Sequence, residues 1–170
     1  MDIKELKTEF IICDVPGHFK HKAILLDLIN KMPDNPDGTI SKTDYTLPLT
    51  FEKEYLQYFH SHIAKHIMDP QLKYFKAKSW KIGRAWFQQY QKGSSHCDHT
   101  HPGANLTSVY FLELPDPQFK TSIKIGEKEY DYEVKEGQSI TFPAHLLHYA
   151  KSNGNLRKTI ISFNSDFYFT

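Results

Sequence analysis

The stretch "GSSHCDHTH", residues 93–101, sets His96, Asp98, His99 and His101 within a few positions of a glycine. Imidazoles and carboxylates at this density are the ligands that first-row transition metals take. Residues two apart on a strand project to one face, so His96 with Asp98, or His99 with His101, could chelate. His96 with His99 could not do so from one straight strand. A further ligand must come from elsewhere, and "TFPAHLLHYAKSN" offers His145 and His148 just past the Pro143 turn. Two histidines and one carboxylate with open positions suit Fe(II) and oxygen chemistry, whereas three imidazoles suit Fe, Zn, Ni or Cu. Spacing alone leaves both sets open.

A second chemical feature follows. Arg157 lies nine residues after His148 and alternates with Thr159 and Ile161 onto one face of a strand. A guanidinium can grip a carboxylate through two parallel hydrogen bonds, and a hydroxyl two residues on can complete the cradle. Other reactive side chains read as structural. His60, His62 and His66 fall on a helix with no third group near in sequence, and are expected to be solvated. Cys97 alternates away from its neighbours, and Trp80 and Trp86 are expected in the core or a pocket wall. No Ser/His/Asp or paired-carboxylate arrangement occurs.

The elements that must position these groups divide by period. "HKAILLDLINKM" sets Ile24, Leu25, Leu28, Ile29 and Met32 on one helical face and stops at Pro33. In "TFEKEYLQYFHSHIAKHI", Phe51, Tyr55, Phe59, Ile63 and Ile67 recur every four residues, with Thr50 as N-cap, which predicts a second helix. "PDNPDGTISKTDYTLP" between them reads as a loop. From Lys78 onward "WKIGRAWFQQYQ", "LTSVYFLEL", "TSIKI", "YDYEV", "QSITF" and "KTIISFNSDFYF" read as strands, with turns at "GEKE" and "KEGQ". Many short strands without helices between them predict an antiparallel sandwich or barrel of the jelly-roll kind, with the helices outside one sheet. We therefore expect a mainly β (α+β) single domain over 1–170, helical over 1–77 and β over 78–170.

Composition bounds the function. A chain of 170 residues suits one core and one site. The 21 Lys plus Arg against 20 Asp plus Glu give no basic excess for a phosphate-backbone binder. The N-terminal stretch carries acids, and no run approaches the roughly 20 apolar residues of a membrane span. Cys13 and Cys97 form no disulfide framework. A cytoplasmic protein without nucleic-acid or membrane partners is the expectation.

The segment "YQKGSSHCDHTH" resembles the 2-oxoglutarate and Fe(II) dependent oxygenases, in which Tyr-x-x-Gly is followed six residues after the glycine by His-x-Asp or a variant. Counted from Gly93, those positions are His99 and His101. The same register is similar to the first motif of the wider cupin superfamily. Gly137, Pro143 and His148 are similar to its second, with His145 where a glycine is expected. The runs "HTHPGANLTSVYFLELP" and "FPAHLLHYAKSNGNLRKTIISFN" look most like a phage-associated branch of the oxygenases. The resemblance spans Trp86 to Asn164, under half the chain. It implies a double-stranded β-helix holding Fe(II) on His99, His101 and His148, with Asp98 and His96 as alternatives should His101 stand aside. It implies 2-oxoglutarate as small-molecule co-substrate, held by Arg157 and Thr159 with Tyr110 as third donor, and oxidation of a prime substrate that it does not identify. A three-His cupin enzyme without 2-oxoglutarate, and a non-catalytic metal-binding module, are the rival expectations.

Overall fold

A computed structural model describes residues 8–170. Strand β1 (Ile11–Asp14) leads into helix α1 (His18–Asn30), the short strand β2 (Lys42–Thr43), and helices α2 (Glu54–His62) and α3 (Ala64–Phe75). Strands β3 (Ser79–Tyr90), β4 (His96–His99) and β5 (Leu106–Glu113) follow. After a 3₁₀ turn at Pro117–Phe119 come β6 (Thr121–Ile125), β7 (Lys128–Tyr130), β8 (Gln138–Pro143), β9 (Leu147–Ala150) and β10 (Lys158–Tyr168). A six-stranded sheet in the order β1-β8-β5-β10-β3-β2 packs on a four-stranded sheet in the order β4-β9-β6-β7. All pairings are antiparallel. This is the jelly-roll arrangement expected of the β-rich half.

Strand alternation sorts the large sheet into two faces. Ala85, Phe87, Tyr110, Leu112, Ile161 and Phe163 face the helices, where they bury Leu25, Ile29, Tyr55, Phe59, Ile63 and Ile67. Tyr90, Val109, Phe111, Ile140, Phe142 and Ile160 face the small sheet, from which Ile123 and Ala150 meet them. The functional interior lies between the sheets, away from the helices.

Three expectations change. The first 77 residues are not helical alone, because β1 and β2 supply the two edges of the large sheet. The second predicted helix is two: Thr50 and Phe51 lie outside it, α2 starts at Glu54, and the chain turns at Ile63, where φ is −121°. A straight helix diverges from a twisted sheet, and the turn keeps Tyr55, Phe59, Ile63 and Ile67 all fully buried. "YDYEV" is not a strand, since β7 ends at Tyr130. Among the described residues no helix is long and apolar enough to cross a membrane.

Gly137 has a reason of its own. Its φ is +87°, and a Cβ there would lie 2.8 Å from Cγ of His18, whose ring is hydrogen-bonded to Tyr110 Oη at 2.7 Å. Gly137→Ala is expected to cost about 2–4 kcal/mol through left-handed strain and overpacking together, read as a lower urea midpoint at unchanged slope.

Candidate metal centre

His99 ends β4 and stands directly opposite His148 of β9 in the strand pairing. His101, two residues beyond the strand, is held by its backbone N–H on the Ala144 carbonyl at 2.9 Å. The ring centroids lie 4.2 Å (His99 to His148), 4.9 Å (His101 to His148) and 5.0 Å (His99 to His101) apart. One potential ligand atom from each falls within 4.8 Å of the others. Two of the rings are already oriented: Nδ1 of His99 lies 2.9 Å from the Cys97 carbonyl, and Nδ1 of His148 lies 2.9 Å from the Leu146 carbonyl. A neutral ring that donates from Nδ1 leaves its Nε2 lone pair for a metal.

Burial matters as much as geometry. Desolvation, reinforced by His99 and His96, pushes His101 down to about 4. Desolvation also pushes His148 down to about 3, against the opposing effect of its bond to Leu146. Burial lowers His99 too. All three imidazoles are therefore unprotonated near neutrality, the state in which they ligate.

The structure also answers the question of the overlapping motifs. Strand β4 is not straight: its register slips between His96 and His99, so three residues on β4 span the two from Ala150 to His148 on β9. That bulge brings His96 to 4.1 Å from His99, ring to ring, at the edge of the cluster. It turns Asp98 outward, where it pairs with Lys124 at 2.5 Å. Asp98 is thus engaged as a surface ion-pair partner, apart from the three imidazoles, and His145 is exposed. Cys97 is exposed, and His60, His62 and His66 lie on the helical surface. Trp86 forms a wall, 5.3 Å from His101.

The expected carboxylate cradle needs correction. Arg157, Thr159 and Tyr110 are not brought to the histidines, because strand parity places them on the helix side of the large sheet. Arg157 is engaged twice by Glu113, from Nε at 2.8 Å and from Nη2 at 2.9 Å, and Thr159 donates to the same carboxylate. Tyr110 is paired with His18.

The cation on the inner face is the neighbouring residue. Lys158 shares parity with Ile160 and Ser162, which line the passage beside His148 together with Tyr90 and Thr121. It is 1% exposed, its Nζ lies 4.1 Å over the Tyr90 ring and donates to the Phe119 carbonyl at 2.8 Å. Among the described residues no carboxylate pairs with it, and burial pushes its ammonium down to about 7. A buried cation without a counter-charge is costly, and an anion in the cavity of about 310 Å³ that Lys158 lines with Leu114, Phe119 and Asn153 would relieve that cost. Sequence reasoning chose the arginine; the usable signal was the parity of Lys158 with Ser162, once the inner face is known.

No family model and no curated protein matches the chain. Solved structures do. A 2OG-Fe(II) oxygenase family oxidoreductase from Burkholderia pseudomallei superposes with a TM-score of 0.69 at 12% identity, covering 92% of this chain and 84% of that one. The viral collagen prolyl hydroxylase of Paramecium bursaria Chlorella virus-1, in its 2OG complex, gives 0.60 at 14%, over 92% and 94%. HygX from Streptomyces hygroscopicus, with nickel and 2-oxoglutarate bound, gives 0.66 at 11%, over 93% and 82%. These likenesses establish a shared fold, the double-stranded β-helix.

Proposed function

We propose that this double-stranded β-helix is an Fe(II)- and 2-oxoglutarate-dependent oxygenase, with iron held by His99, His101 and His148. The observation that carries the reading is the convergence of the three imidazoles, and it is supported by Lys158, a buried cation without a counter-charge that shares the inner face of β10 with Ile160 and Ser162 beside His148 and lines a separate cavity of about 310 Å³ with Phe119. The fold supports it, since the structural neighbours with this architecture include a 2OG-Fe(II) oxygenase family protein and two structures with 2-oxoglutarate bound. When bound, Fe(II) and 2-oxoglutarate supply oxygen activation, the keto acid being oxidised to succinate and carbon dioxide as the substrate is oxidised.

The protein's own part is positional. His99 and His148 present Nε2 inward because their Nδ1–H groups are spent on backbone carbonyls. Lys158 takes the distal carboxylate of the keto acid, exchanging the Phe119 carbonyl for a charged acceptor. Tyr90, Ile160 and Val109 exclude water from the passage. No side chain needs to remove a proton from carbon. With His101 where the resemblance leads one to expect a carboxylate, the ligand set is neutral, and the bound metal keeps one more unit of positive charge.

A second reading has its own support. The empty space beside His148 is about 20 Å³, enough for one water, which favours a three-His metalloprotein that binds no keto acid. Anaerobic titration with Fe(II) and then 2-oxoglutarate separates the two. The oxygenase reading expects a visible metal-to-ligand charge-transfer band as the keto acid chelates. Iron binding with no band at saturating 2-oxoglutarate sinks it and leaves the second reading. Two free cysteines and a site that needs ferrous iron support a reducing, cytoplasmic location.

A further inference from the structure

A cavity of about 210 Å³, bounded by Asp37, Ile40, Tyr45 and Trp86, opens onto His99 and His101. Asp37, Ile40 and Tyr45 come from the segment between α1 and α2 that reads as plain loop in sequence, and Trp86 from β3. That segment is firmly held. Asp37 and Ile40 bridge across a two-residue turn at Gly38, whose φ is +55°. Thr39 donates to the Ser95 carbonyl at 2.6 Å, Ser95 N–H to the Thr39 carbonyl at 3.2 Å, and Ser41 meets Ser94. Next to Tyr45, the fully buried Asp44 carboxylate accepts from Tyr55 Oη at 2.6 Å and from Phe87 N–H at 2.9 Å, and pairs with Lys53 at 2.8 Å.

The two aspartates differ in what is left over. Asp44 is consumed by its partners, whereas Asp37 makes no side-chain hydrogen bond or ion pair among the described residues and lines the cavity. Around it stand the rings of Tyr45 and Trp86, edge to face at 5.3 Å. His96 lines the same cavity, where burial holds its imidazole low despite the opposing Asp37 charge, and Arg84 stands apart. Arg84 is stacked 3.9 Å over the Tyr45 ring, donates to the Tyr45 carbonyl at 2.5 Å, and does not line the cavity. A lone carboxylate with two aromatic walls is a receptor for an organic cation: the carboxylate accepts charge-assisted hydrogen bonds, and the rings attract positive charge through their faces.

We propose that the prime substrate carries an ammonium or guanidinium group, which seats on Asp37 between Tyr45 and Trp86 while the carbon next in line is presented to His99 and His101. This deepens the oxygenase reading and rests on it for the identity of the reacting centre. The binding preference itself is tested without iron or 2-oxoglutarate, so the two can fail separately. The probes are N-acetyl-lysine methylamide, its norleucine analogue, which lacks the ammonium, and the glutamate analogue. The readout is the indole N–H resonance of Trp86 in the 170-residue chain. Trp80, whose Nε1 is engaged by Asp69 at 3.0 Å on the helical side, serves as internal control.

The lysine probe is expected to shift Trp86 and leave Trp80 unmoved, with affinity about tenfold above the norleucine probe, the effect of one desolvated charge-assisted contact. Asp37→Asn is expected to remove that advantage. Equal binding of the norleucine or glutamate probe, unchanged lysine binding in Asp37→Asn, or no shift of Trp86 with any probe overturns the proposal. A charge-transfer band that fails to form beside a positive lysine titration removes the oxygenase reading and leaves the cation preference standing.

Discussion

His148→Ala is expected to lose tight Fe(II) binding and with it the charge-transfer band, in a chain that still folds. His148 is the most deeply buried of the three imidazoles and the one that closes the set across β4 and β9. Without it His99 and His101 remain, two ligands on one short segment, too few for a stable site. The loss should exceed the roughly 10–100-fold that follows removal of a mere supporting partner of a ligand. Calorimetric titration with Fe(II), or with Co(II) as a spectroscopic substitute, reads it, and far-ultraviolet circular dichroism checks the fold. Asp98→Ala is the paired control. Because Asp98 is spent on Lys124 outside the barrel, it should leave affinity within about twofold, the scale of a surface pair. A large loss in Asp98→Ala would mean that the bulge opens to let the carboxylate in, and the three-His set would then be wrong.

Lys158→Met should separate the co-substrate from the metal. Iron affinity is expected to stay, while 2-oxoglutarate binding falls by about 2–5 kcal/mol, the usual loss when one member of a buried charge pair is truncated. Arg157→Ala, by contrast, breaks an ion pair with Glu113 on the helix side and should leave the keto acid's dissociation constant unchanged. The reverse outcome would restore the arginine to the site. Lys158 also sets a pH dependence. Its ammonium titrates at about 7, so below that pH the keto acid meets a cation already formed. Above it, binding must take up a proton, and affinity should drop by up to tenfold per unit. Stability of the ligand-free protein runs the other way. The folded-state pKa lies below the unfolded one, the folded chain holds fewer protons between them, and stability rises with pH from about 7 toward 10. That slope should be absent from Lys158→Met.

Most of the scaffold was legible because its signals are local. β3, β5, β6, β8 and β10 each combine β-branched and aromatic enrichment with turn residues at their ends, and the buried positions of α1, Leu25 and Ile29, follow the helical period. The convergence of His99, His101 and His148 was legible from two motifs standing at the right distance from Gly93 and Gly137. What escaped depends on pairing. β1, β2, β4 and β9 are each four residues or fewer, too short to carry a period, and they are strands only because of the neighbours they meet. The bulge that turns Asp98 outward is a property of the β4–β9 pair, not of either sequence. The choice of Lys158 over Arg157 needs the face of β10 that looks inward, and a one-residue difference in parity exchanges them. Asp37 lay in a stretch whose Pro, Asp and Gly content announces a turn and conceals what the turn delivers.

The strand order of the large sheet has a kinetic consequence. No neighbouring pair in β1-β8-β5-β10-β3-β2 is joined by a hairpin, so each pairing must close a long loop before it returns any stabilisation. Such a chain searches slowly and collapses late. The three ligands are divided between residues 99–101 and 148, segments that meet only through the β4–β9 pairing, itself a long loop closure. A metal ion bound there acts as a latch between the two segments: it retards the opening of β4 from β9 and lengthens the lifetime of the native state.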